Sequence, residues 1–144
     1  MRNKLVSLVL VASAAASGLA ACSSTLMTPI DQIPKLTKLD DVMDNQSTVA
    51  DPEFKKIGQA SYTDADYAAF AVVSERIQAT ALKTEEFAAE EAKGKEDGFK
   101  GVAKKLAEKA KALGVAAAAK DAAASSTALK EMKEACKECH STYR

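Results

Sequence analysis

The chain has few of the residues that most metal and redox chemistry draws on. Its 144 residues include three cysteines and a single histidine, and its prolines stop at Pro52. β-Branched runs are nearly absent, which excludes a sheet-rich fold. Alanine, lysine and glutamate dominate from about Ala65 onward, the composition of a helical protein. An excess of one charge sign is missing too, with 20 basic against 20 acidic residues. That balance excludes an electrostatic grip on nucleic acid. No acid–base pair, nucleophile constellation or phosphate-cradling loop argues for an enzyme.

What is present begins with "MRNKLVSLVLVASAAASGLAAC". Arg2 and Lys4 precede an apolar run from Leu5 and then small residues, the layout of a bacterial secretory signal. Leu19-Ala20-Ala21-Cys22 resembles the processing site of bacterial lipoproteins, in which the cysteine is acylated and becomes the new N-terminus. The reading is therefore a signal peptide over 1–21, with Cys22 as the lipid anchor on the periplasmic face of a bacterial membrane. Ser23, rather than aspartate, after that cysteine points to the outer membrane. Cleavage leaves 123 residues, enough for one compact domain, with a formal charge of −2. The polar stretch 22–35, interrupted by Pro29 and Pro34, reads as a flexible tether with an extended reach of roughly 30–40 Å.

Residues 36–144 carry four helical patterns. Leu36, Leu39, Met43, Gln46 and Ala50 recur at 3–4 spacing, a bundle seam with Val42 and Val49 on its flanks, and Pro52 stops or kinks that helix. Thr63 with Asp66 opens a second helix through Tyr67, Phe70, Val73, Ile77, Leu82 and Phe87. The three glycines of "KGKEDGFKG" break it. A third helix shows Phe99, Val102, Leu106, Ala110 and Leu113. Asp121 caps a fourth, with Leu129, Met132, Cys136, Cys139 or His140, and Tyr143 on one face. The fold class is all-α, an antiparallel four-helix bundle. Lys130, Lys133 and Lys137, beside Glu131, Glu134 and Glu138, read as a solvated surface.

The closing helix carries Cys136-Lys-Glu-Cys139-His140, a Cys-x-x-Cys-His attachment signature for c-type haem. Cysteines three apart on a helix lie one turn from each other, so both sulfurs can reach the vinyl groups on one porphyrin edge. The following imidazole is then on the side of the iron. Structural zinc wants four ligands, and only these three lie near one another. A thioredoxin-like pair normally opens a helix after a strand, whereas this pair lies near the end of the last helix. Neighbours three apart in a helix are also poorly placed for a disulfide. The motif thus implies one covalent haem c, held by Cys136 and Cys139, with His140 as the proximal iron ligand.

"CKECHSTYR" at the C-terminus resembles the class II c-type cytochromes, cytochrome c′ and the c556-like proteins. "DDVMDNQSTVADP" is similar to a first-helix pattern of an exported subgroup, and "YTDADY" to its turn, with Tyr67 where that pattern usually has tryptophan. The resemblance covers roughly 36–144 and implies a four-helix bundle with its haem on the last helix. A seam methionine is ordinarily packing. Met27 lies in the tether and Met132 on the haem-bearing helix, which leaves Met43 alone on a separate helix. The resemblance implies that Met43 is the distal iron ligand, because it falls where c556-like proteins place an axial methionine. Function then divides in two. With His/Met ligation the protein is a membrane-tethered electron carrier for redox protein partners. With five-coordinate iron it binds NO or CO. A homodimer stays open as its assembly.

Overall fold

The computed structural model describes residues 27–144. The signal segment and Cys22 lie outside the described residues. Among the described residues the chain forms a 3₁₀ turn (Ile30–Lys35) and the helices α1 (Leu39–Phe54), α2 (Asp64–Glu85), α3 (Ala88–Glu91), α4 (Glu96–Ala118) and α5 (Ala122–Tyr143). The four long helices make the antiparallel bundle expected, with α3 a single turn in the α2–α4 connection. No described helix is long and apolar enough to cross a membrane.

Local chemistry sets the helix starts. Thr63 Oγ1 accepts from the Asp66 N–H at 3.2 Å, and Asp66 Oδ2 accepts from the Thr63 N–H at 2.8 Å, closing a capping box at α2. Lys56 Nζ also reaches the Asp66 carboxylate at 2.7 Å. Its ammonium and the Thr63 donors hold that carboxyl well below the usual range. Asp121 Oδ1 accepts from the Ala124 N–H at 2.9 Å and starts α5 where the sequence places it.

Four local expectations are corrected. Pro52 does not end α1, which continues to Phe54. The proline sits in the last turn and removes only one ladder bond, to the carbonyl of exposed Thr48. The buried face of α1 is Val42, Gln46, Val49, Ala50 and Glu53, so Met43 stands at its edge, half-buried. On α2, Leu82 is 63% exposed, and Thr80, Ala81 and Thr84 take the interior. Those threonine hydroxyls donate to the Arg76 and Thr80 carbonyls at 2.8 and 2.9 Å, which lets polar residues stand in the core. Of the three glycines only Gly94, at φ 79°, breaks the chain; Gly98 and Gly101 lie inside α4.

The segment read as a tether is docked along part of its length. Arg76 Nη1 donates to the Thr28 carbonyl at 2.7 Å and Lys83 Nζ to the Pro34 carbonyl at 3.0 Å, while Ile33 is fully buried. A continuous core of Phe70, Val73, Ile77, Leu113, Leu129 and Met132 joins α2, α4 and α5. Helix α1 packs on α2 and meets α5 over a much smaller interface. That loose seam positions the site.

Candidate haem site

Where α1 and α5 separate, a cleft of about 790 Å³ opens between them. This lies within the range of small-molecule and cofactor pockets, roughly 300–1,000 Å³. Helix α1 contributes Met43, Gln46, Ala50 and Phe54 to its walls; α5 contributes Met132, Cys136, Cys139 and His140. A second chamber of about 490 Å³ adjoins the first through Met43, Asp44, Cys139, His140 and Arg144, and extends to Leu39, Phe99 and Tyr143.

Helical spacing along α5 produces the arrangement. Met132 and Ala135 face the core and are fully buried, which turns Cys136 and Cys139 half-buried into the cleft wall. His140, one residue on, is exposed at the mouth. Both thiols are free. Burial pushes the Cys136 thiol up to about 11, helped by Cys139 and by Asp51 on α1, and burial raises Cys139 as well. Thiols held neutral in this way are poor exchange nucleophiles, the reverse of a dithiol redox pair. Among the described residues no three His, Cys, Asp or Glu side chains are grouped to hold a bare metal ion. Two thiols one turn apart, an imidazole beside them and a largely apolar cleft do fit a haem.

The sequence-expected residues Met43, Cys136, Cys139 and His140 all line one cleft. Met132 lines it too, so its position on the cysteine-bearing helix does not remove it from the site. The sequence reading also passed over Gln46 as a site residue. Its amide is buried on the cleft wall and donates to Thr84 Oγ1 at 3.3 Å. Its place one turn after Met43 was the available signal. Lys133 and Lys137 border the opening, with the Lys133 ammonium 5.9 Å from the Phe54 ring centre. The facing charges Glu131 and Glu138 pair with Lys109 and Lys105 of α4, at 3.0 and 2.6 Å. Tyr67, the departure from tryptophan, packs edge-on with Tyr62 and Phe70 and does not line the cleft.

No curated protein and no solved structure matches the chain significantly. The family model described as Cytochrome C' matches residues 39–144, from the first residue of α1 through the end of the chain. Proteins of that family carry a covalently attached c-type haem, in keeping with the single cleft-side motif on α5. The chain belongs to the cytochrome c′ family.

Proposed function

We propose that the protein is a monohaem electron carrier in which Cys136 and Cys139 bind the haem as thioethers, while His140 and Met43 ligate its iron. The observation that carries this reading is the shared cleft. A thioether on α1 and an imidazole on α5 border the same haem-sized space, beside two thiols one helical turn apart. When bound, the haem supplies an iron centre that gains and loses one electron. Met43 and His140 would hold the iron from the two walls of the cleft, and such a histidine–methionine pair would limit rearrangement on electron transfer and raise the potential. Phe54, Ala50 and Leu106 supply apolar wall, and burial around a c-type centre tunes its potential in the same direction as water exclusion does. Redox proteins are the partners in this reading. The N-terminal signal and Cys22 support attachment to a bacterial membrane on its periplasmic face.

A second reading has a specific observation behind it. Gln46 brings a buried amide to the cleft wall, where it could donate to a diatomic ligand such as NO or CO if Met43 only packs. Absorption spectra separate the two. The carrier reading expects a low-spin protein that is slow to take up carbon monoxide, with the haem retained through acid–acetone extraction. The variant Cys136→Ser with Cys139→Ser should lose its haem in that extraction. A wild-type protein that is high-spin and binds carbon monoxide at once replaces the carrier with the gas-binding protein.

A further inference from the structure

Helix α4 holds three glycines, Gly98 in its first turn, Gly101 and Gly114, although glycine weakens a helix relative to alanine. Gly114 is accounted for by the bundle, because a Cβ there would collide with the Ser74 hydroxyl of α2. A Cβ at Gly101 would meet nothing within 4 Å. A Cβ at Gly98 would collide with the phenol oxygen of Tyr143, on the last turn of α5. The Tyr143 ring packs edge-on against Phe99, with centres 5.2 Å apart and planes at 83°. Phe99 is itself buried in a small satellite core with Ala88 and Ala92, against which Leu39, Cys139 and Tyr143 pack.

This satellite core seats the turn of α5 that carries Cys139 and His140. Cys139 and Tyr143 are four apart, so they share the helix face that rests on Phe99. Leu39 brings the start of α1, one turn before Met43, onto the same core. Three of the four helical parts that border the site are therefore registered at one point, outside the main core.

We propose that Gly98, Phe99 and Tyr143 form a positioning device that sets the depth and tilt of the last α5 turn, and through it the aim of the His140 imidazole. Gly98 is the permissive member: its bare Cα lets the Tyr143 phenol lie directly on α4. The proposal rests on His140 being the iron ligand.

The test uses the haem-loaded full chain and four variants. Gly98→Ala should raise the high-spin fraction of the ferric spectrum and shift the midpoint potential, with helix content by circular dichroism unchanged. Gly98→Ala with Tyr143→Phe should restore both, because the phenol oxygen is gone and the next ring atom, Cζ, lies at an ordinary 3.8 Å. Gly101→Ala should leave both readings at wild-type values, although it makes the same substitution in the same helix. If Gly98→Ala behaves like Gly101→Ala, or if the tyrosine change does not rescue it, the positioning role is overturned. The fourth variant, His140→Gly, tests the premise by itself. An unchanged spectrum there overturns the ligand assignment and the proposal with it. A changed spectrum that added imidazole reverses upholds the ligand and leaves the Gly98 series to decide the device.

Discussion

Replacing Met43 with alanine removes Cγ, Sδ and Cε from the α1 wall of the cleft and leaves the helix itself intact, since alanine is the better helix former. Each buried methylene-sized group is worth about 0.8 kcal/mol, and Met43 is only half-buried. Packing alone therefore puts the cost at about 1 kcal/mol, a fall in Tm of about 4 °C for a domain of this size. If Met43 ligates the iron as proposed, its loss has a much larger optical consequence. The ferric and ferrous spectra should turn from low-spin to high-spin, the iron should open to carbon monoxide, and the thioether attachment should survive acid–acetone treatment. Met132 needs its own control because it lines the same cleft and is fully buried. Met132→Ala would risk about 2–5 kcal/mol of core stability, so Met132→Leu, below about 1.5 kcal/mol, is the informative change. Met132→Leu should keep the wild-type spectrum. The assignment of Met43 is refuted if Met43→Ala stays low-spin, and Met132 takes its place if the leucine variant is the one that turns high-spin.

Three further outcomes follow from the caps and the N-terminus. Thr63→Ala should destabilise the bundle by about 1 kcal/mol in urea unfolding at neutral pH. Because the Asp66 carboxyl is depressed in the folded state, its contribution is complete above the unfolded value of about 3.9 and is lost as pH falls through the folded value. Asp66→Asn should accordingly flatten the acid limb of the stability profile, and a profile unchanged from wild type would contradict that assignment. Cys22→Ser should abolish labelling by radioactive fatty acid and release the protein from membranes; equal labelling of both forms removes the lipid anchor. Arg76 and Lys83 of α2 hold the segment from Thr28 to Pro34, so the stretch 22–35 read as a tether is docked from Thr28 onward.

What the sequence disclosed was what depends on neighbours along the chain. The Thr63 and Asp121 caps were legible because a side chain bonds a backbone group three residues away, and the spacing of Cys136, Cys139 and His140 fixes their relation on any helix. Positions decided by partners far along the chain were not. Thr80 and Thr84 look polar and face inward, since their hydroxyls bond back to the helix and remove the cost of burial. Leu82 looks like core and faces water. Gly98 looks like a helix breaker and is a contact surface for Tyr143, a residue 45 places away. The strap from Thr28 to Pro34 looked like a linker because its anchors, Arg76 and Lys83, lie on another element.

The cleft itself depends on the residues that carry least information one by one. Ala50 on α1, Ala103 on α4 and Ala135 on α5 are all buried and all line it. In a bundle closed by side chains alone, facing positions on four helices would hold leucine-sized groups, because interiors pack without voids. Here three of the facing helices present a methyl group instead, and the contact between α1 and α5 is correspondingly thin. An alanine-rich composition therefore has two separate effects in this chain. On exposed faces it supplies helix propensity, as at Ala118 and Ala123. At the α1–α5 seam it withholds volume, which leaves the cleft open where a fourth row of large side chains would otherwise close it, and a haem held by α5, as proposed, would fill that space.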